Sequence, residues 1–578
     1  MTSPEERILD HLHVLYSEEE AEDAWARLDA RLTAFRIAHP HLQQRLLPEA
    51  RLTERDAILI TYGDQISEPP APPLETLAEV LTAYAEGIIS GVHILPFFPY
   101  SSDDGFSVID YATVNPAWGA WADVEQMGDH FRLMFDAVIN HISRESAWFR
   151  RFKAGDPEYR DFFITVDEGT DLSGVVRPRA KPLLTRVETA EGETLVWTTF
   201  SPDQIDLNFA NPEVLLRIID VLLCYVEHGA EIIRLDAIAY VWKEVGTRCI
   251  HLEEAHRLVQ LFRAVFDLVA PNVMIITETN VPHAENISYF GDGTDEAQLV
   301  YQFSLPPLVL HALARGDASY LTAWAAGLAG DLPSQETTFY NFLASHDGVG
   351  VRPVEGILPS ADVQWLADRV QAHGGYVSYK TNPDGSESPY ELNISYFDAL
   401  SDPQGGEPPE VQVRRFMVSQ AIMLALQGVP AIYVHSLFGS RNYPQGVAAT
   451  GRYRSINREK FRRADLEAAL ADPDSVRARV YAAYRCLLKV RREHPAFHPN
   501  GAQRVLDLGL AVFALTRTAP DESETLLCLH NVTEEMQAVT LPPDVMATPL
   551  RDIIGGEAYD EEVLTLAPYQ ILWLLLEA

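Results

Sequence analysis

From residue 57 onward the chain repeats one pattern eight times: a short apolar run that ends on polar or charged residues, followed in most cases by a longer amphipathic stretch. The runs fall at 58–62, 92–97, 133–139, 231–235, 273–276, 299–303, 338–343 and 431–434. Parallel strands cannot be joined by a tight turn and need a crossover, usually a helix, so this alternation is what a parallel sheet requires. Eight such units in succession predict a (β/α)8 barrel, the α/β architecture in which every strand ends at the same mouth.

Two interruptions and two flanks complete the expected layout. Residues 1–55 carry helical periodicity, with Ile8, Leu12 and Leu15, then Trp25, Leu28, Leu32 and Phe35, among acidic residues. They read as a helical N-terminal extension. The barrel is assigned to 56–141, 206–350 and 412–499. It is interrupted by an inserted domain at 142–205 and an inserted loop domain at 351–411, the latter containing the turn-rich KTNPDGSESPYELN. Long insertions at the C-terminal face of a barrel usually carry function. Residues 500–578 alternate as strands with turn signals, as in VLDLGLAVFALTRT, and predict a C-terminal antiparallel β domain.

Charge narrows the partners. Lys and Arg total 45 against 83 Asp and Glu, a net charge of −38 over 578 residues. Such a chain repels phosphate backbones and anionic lipid unless it carries a local basic patch, and none is visible, so neither nucleic acid nor membrane is an expected partner. The four cysteines are far apart and form no C-x-x-C pair, which argues for reduced thiols and against a zinc site. The N-terminus lacks the apolar stretch of a signal peptide and no apolar run reaches the length of a membrane span, so a cytoplasmic protein is expected.

The chemistry sits at the predicted strand ends. Strand three runs into DAVINH, from Asp136 to His141, and strand four into RLDA, with Arg234 and Asp236. Strand five leads to Glu278, and strand seven to SHD, with His346 and Asp347. In a closed barrel these ends converge. An Arg two residues before Asp236 favours the ionised form of that carboxyl. Two carboxyls about 5 Å apart across a glycosidic bond constitute the retaining double displacement, one as nucleophile and one as acid and then base.

DAVINH, IRLDA, the Glu after a strand and SHD, in that order, resemble the four signature regions of the α-amylase superfamily, glycoside hydrolase family 13, and QIDLN (204–208) resembles its additional signature. The likeness runs from about residue 56 to the C-terminus. ILPFFPYSSDDGFSVIDY, RPRAKPLLTR, WTTFSPDQID, FSLPPLVLHAL, SHDGVGV and GRYRSINR are similar to the sucrose phosphorylase subfamily. The resemblance implies Asp236 as nucleophile, Glu278 as acid and base, and Asp347 as transition-state stabiliser. It implies Asp103 and Arg458 on the outer glucosyl hydroxyls and Phe106 as an apolar wall. His141, Arg234 and His346 would complete the glucose pocket, and Tyr240 would line the leaving-group side. Arg177, Arg179 and Lys181 fall in the phosphate-gating loop, with Tyr390 on the loop opposite. No metal and no cofactor are called for; the implied partners are a small glucoside and inorganic phosphate.

The N-terminal extension, the Glu391 that follows Tyr390 and the SSDDGF and SRES stretches depart from the sucrose enzymes and resemble the glucosylglycerate phosphorylase branch of the subfamily. A glycerate carboxylate invites a further cation, for which Arg144, Lys181 and Lys243 are candidates. The expected reaction is transfer of an α-glucosyl unit from 2-O-α-glucosylglycerate to phosphate. Sucrose or sucrose 6-phosphate phosphorolysis, and an α-glucosidase or transglucosidase on the same scaffold, remain the alternatives.

Overall fold

The structure is a computed structural model that describes residues 2–44, 50–177, 182–328, 330–382, 386–543, 545 and 550–576. Its centre is a closed barrel of eight parallel strands: β1 (Ile58–Thr61), β2 (Gly91–Ile94), β3 (Arg132–Ala137), β4 (Ala230–Leu235), β5 (Met274–Thr277), β6 (Leu299–Tyr301), β7 (Thr338–Phe342) and β8 (Val429–Tyr433). Neighbours follow sequence order around the ring, and β1 closes it by pairing Ile58 with Gly91 on one side and Ala431 on the other. Every residue of β1, β2, β5, β6, β7 and β8 is buried, which is why these strands read as unbroken apolar runs rather than alternating ones.

The N-terminal extension forms α1 (Pro4–Leu15) and α2 (Glu18–Ala38). Ser3 and Glu6 close a capping box on α1, satisfying amides that the first helical turn leaves without partners. The apolar stripe Ile8, Leu12, Leu15, Leu28 and Leu32 is buried in the main core, while Trp25 and Phe35 are partly covered. Polar ties pin the pair to the barrel's outer helices α3 (Pro212–Glu227) and α4 (Glu253–Val269). Arg7 reaches Asp267 at 2.7 Å, Arg31 reaches Asp220 at 2.7 Å, and the Tyr16 hydroxyl donates to the carbonyl of Phe209 at 2.9 Å.

Both insertions carry small antiparallel sheets. Within the first, Thr165–Val166, Leu184–Thr189 and Gly192–Trp197 pair, and His141–Ser143 pairs with Gln204–Asp206 across its base. Beyond β7, Val349–Gly350, Tyr376–Thr381 and Glu387–Asn393 form a three-stranded sheet. The C-terminal unit is an antiparallel sheet whose alternate residues face two cores. Phe513, Leu515, Leu526 and Cys528 join the barrel's core, while Val512, Ala514, Leu527 and Leu529 pack with Val539, Leu564 and Leu566 of a second small sheet. Among the described residues no helix is long and apolar enough to cross a membrane.

Candidate active site

The strand ends meet as the alternation predicts, and three carboxyls enter one cavity at the barrel mouth. Arg234, the penultimate residue of β4, organises them. Its Nη1 donates to Asp136 and, at 2.8 Å, to Asp236 Oδ1, and its Nη2 stands 3.9 Å from Glu278 Oε2. Asp136 points inward from β3, and His93 Nε2 meets its other oxygen at 2.7 Å. One buried guanidinium is therefore shared among three carboxyls. Burial raises the Asp236 carboxyl, and nearby Asp136 adds to the rise against the opposing pull of Arg234. Arg234 does favour the ionised form of Asp236, as expected from the sequence, but burial and the charge of Asp136 outweigh it.

Glu278 follows β5 and accepts a hydrogen bond from the backbone amide of Ala237 at 3.1 Å, which makes it the immediate neighbour of Asp236. Ala237 holds that position in the left-handed region, φ 49° and ψ 32°, a conformation that costs a side-chain-bearing residue energy and clusters at functional sites. Burial pushes the Glu278 carboxyl up to about 7, with Asp236 and Asp347 adding to the rise and Arg234 and the Ala237 amide opposing it. Asp347 goes the other way. Burial disfavours its charge, but the Arg454 and Arg458 guanidiniums together hold it well below the usual carboxylate range. Neighbouring carboxyls with pKa values driven apart mark an acid and its ionised companions.

The rest of the wall comes from loops. Asp103 and Asp104 both have positive φ, 56° and 51°, and Gly105 follows at 110°. A Cβ on Gly105 would fall 2.5 Å from the Pro96 carbonyl oxygen, so only glycine allows this turn. The loop is fixed from outside by Asp203, whose Oδ2 accepts from Ser101 at 2.6 Å and Ser107 at 2.8 Å as well as from Ser102. It brings Asp103 and Phe106 to the cavity. Phe106 stacks on His346 with centroids 4.8 Å apart and planes 3° from parallel, and burial lowers that imidazole to about 3, leaving it neutral. His141 Nε2 lies 2.9 Å from the Phe106 carbonyl and 3.1 Å from Gln204 Nε2. Tyr240 and Tyr390 also line the cavity.

Nine of the residues singled out in the sequence thus line one cavity, and Arg234 underlies it. Others are placed differently. Arg458, expected beside Asp103 on the outer glucosyl hydroxyls, lines the neighbouring outer cavity instead, pairs with Asp104, and donates from Nε to the His346 carbonyl at 2.7 Å. Lys243 does not line the cavity: its ammonium is buried, 2.6 Å from Asp206 and donating to Asn140 Oδ1 at 2.7 Å. Arg144 lines an outer cavity that leads to the mouth, while Arg177 is exposed and lines neither cavity. Arg179 and Lys181 lie outside the described residues.

Sequence reasoning missed Arg454, which grips Asp347 and reaches Glu391 at 2.7 Å, and also Phe200, Gln204 and Asn280 on the wall. Arg454 was present in GRYRSINR, four residues before Arg458, and 453–457 form a 3-10 turn that carries both guanidiniums toward the mouth.

The chain is similar to known proteins along nearly its whole length. The family model described as the α-amylase catalytic domain matches residues 83–349. A glucosylglycerate phosphorylase of Allomeiothermus silvanus is 51% identical over 568 residues, 98% of each chain. One from Spirochaeta thermophila is 50% identical over 99% of this chain and 98% of its own. Among solved structures, sucrose 6F-phosphate phosphorylase from Thermoanaerobacter thermosaccharolyticum superposes with a TM-score of 0.73 at 24% identity, covering 89% of this chain and 100% of that one. At that identity it shows the fold alone.

Proposed function

The chain belongs to the α-amylase family, glycoside hydrolase family 13, in its sucrose phosphorylase-like subfamily, and we propose that it moves the α-glucosyl unit of 2-O-α-glucosylglycerate to phosphate, giving α-glucose 1-phosphate and glycerate. The observation that carries this reading is the likeness to glucosylglycerate phosphorylases at about half identity along nearly the whole chain, both insertions included.

The site supports a double displacement. Asp236 attacks the anomeric carbon as the bond to glycerate O2 breaks, while Glu278, protonated near neutrality because its burial resists charge, delivers its proton to that oxygen. A β-glucosyl ester on Asp236 results. Asp347, held ionised by its arginines, accepts from ring hydroxyls and stabilises the positive charge that develops at the anomeric centre. A phosphate oxygen then attacks the same carbon, the Asp236 carboxylate leaves, and two inversions give net retention. Phe106, stacked on neutral His346, offers the glucosyl ring an apolar face.

Wild-type enzyme offered glucosylglycerate, sucrose and sucrose 6-phosphate in parallel, with and without phosphate, is expected to release α-glucose 1-phosphate from the first alone and only when phosphate is present. Release from a sucrose donor at comparable kcat/KM overturns the acceptor. Free glucose at a rate indifferent to phosphate overturns the reaction class.

A further inference from the structure

On this reading both the group that leaves and the group that attacks are anions, and they must sit beside three carboxyls. Repulsion at such distances in a partly desolvated site amounts to several kcal/mol, so a cation has to face them. Most cations at the mouth are already neutralised. Arg234 serves Asp136 and Asp236, Lys243 serves Asp206, Arg454 serves Asp347 and Glu391, and Arg458 serves Asp104.

Arg352 is different. It stands on a 3-10 turn just beyond β7, with its side chain only 17% exposed, and its nearest carboxylate among the described residues is Glu285 at 4.0 Å. That carboxylate is nearer to His251, at 3.3 Å. The turn is tied to the opposite loop where the Val351 amide donates to the Tyr390 carbonyl at 3.1 Å. The Arg352 guanidinium acts on the Tyr240 phenol, opposing the rise that burial imposes on it, and Tyr240, Tyr390, Asn280 and Glu278 all line the cavity. Asn280 Oδ1 is buried without a hydrogen-bond partner. Its amide fills the space above Gly350, where a Cβ would come within 2.8 Å of Nδ2. The site therefore holds an under-used cation, a phenol and an unsatisfied acceptor next to the proton-donating carboxyl.

We propose that Arg352, acting through the Tyr240 hydroxyl, is the positioning cation of the acceptor subsite and serves the glycerate carboxylate and inorganic phosphate in turn. The guanidinium donates to the phenolic oxygen, and the phenolic O–H donates to the anion, a charge-assisted chain stronger than an unassisted phenol. Burial raises the Tyr240 phenol far above its ordinary value, so it keeps the proton it donates. Asn280 Oδ1 accepts from the glycerate 3-hydroxyl or from a protonated phosphate oxygen. Because both acceptors present an oxyanion, one device suffices for the forward and reverse reactions. The part concerning glycerate rests on the function proposed above; the part concerning phosphate does not.

The test loads the enzyme from α-glucosyl fluoride and measures how the glucosyl-enzyme partitions, phosphate against water and glycerate against neutral glycerol. These ratios are independent of the loading rate. Arg352→Gln is expected to lower both ratios tenfold or more, Arg352→Lys to recover part of the loss, and Tyr240→Phe to lower both ratios in an enzyme whose packing is intact. Tyr240→Phe and Arg352→Lys decide the matter if Arg352→Gln does not fold. Ratios within twofold of wild type in Arg352→Gln, a Lys variant no better than Gln, or a collapse produced by Arg144→Gln instead would overturn the proposal. Capture by phosphate but not by glycerate in the wild type sinks the glycerate reading, and the phosphate ratio still tests Arg352.

Discussion

Replacing Glu278 by Gln removes a charge that the fold resists. The carboxyl is driven from 4.5 to about 7 chiefly by burial, with Asp236 and Asp347 adding to the rise. At 1.36 kcal/mol per pKa unit, its ionisation costs the folded state about 3 kcal/mol. Below pH 4.5 the group is protonated whether folded or unfolded and contributes nothing. Between 4.5 and 7 the unfolded chain ionises first, so stability falls as pH rises, and above 7 the full penalty stands. Glu278→Gln is therefore expected to be more stable than wild type at pH 8, with the difference vanishing near pH 4.5, as read by denaturant unfolding at the two pH values. In the wild type, kcat/KM for the glucoside falls with pH above about 7 as the proton needed by the leaving group is lost. The Gln variant loses roughly 10²- to 10⁴-fold on that donor and its alkaline limb disappears. α-Glucosyl fluoride, whose fluoride departs without a proton, suffers far less. Equal losses on both donors, or a stability difference that does not change with pH, would refute the reasoning.

Three further outcomes follow from named contacts. Lys243→Met strands the buried Asp206 carboxylate and is expected to destabilise the fold by about 3–5 kcal/mol in urea titrations, part of which Asp206→Asn on top restores. A stable variant with a raised phosphate KM would instead return Lys243 to the acceptor site. Gly105→Ala pushes a Cβ against the Pro96 carbonyl and shifts Asp103 and Phe106, so glucoside kcat/KM should drop roughly a hundredfold while the unfolding midpoint moves little. Arg454→Gln removes the main cation holding Asp347 down, letting its pKa rise. The ratio of kcat/KM at pH 5 to that at pH 7 is then expected to fall roughly threefold or more, and an unchanged ratio would show that Arg454 does not govern Asp347.

The barrel was legible because each buried strand is a local apolar run, and all eight runs became strands with ends within three residues of their expected places. The carboxyl trio was legible for the same reason, since strand ends in a closed barrel have only one place to meet. Pairings between distant segments were not. Lys243 is a candidate ligand in the sequence by its charge alone; its partners Asp206 and Asn140 arrive from the base of the insertion and the end of β3. Arg234 sits two residues from Asp236 and does pair with it, but Asp136 comes in from the neighbouring strand and shares the same guanidinium. Arg454 lies inside GRYRSINR and Arg352 directly after SHDGVGV, yet neither stretch says what its guanidinium meets. Their positions follow from where a 3-10 turn and a post-strand turn deliver a guanidinium, which spacing alone does not encode.

The central claim is a glucosyl group carried on Asp236 and handed to phosphate with retention. The most direct measurement loads Glu278→Gln with α-glucosyl fluoride, digests the protein at acid pH and locates the adduct by mass spectrometry, with a parallel sample chased by phosphate. One anhydroglucose unit on the Asp236 peptide, released by the chase as α-glucose 1-phosphate, is the predicted result. An adduct on another residue, or β-glucose 1-phosphate as the product of the chase, would contradict it.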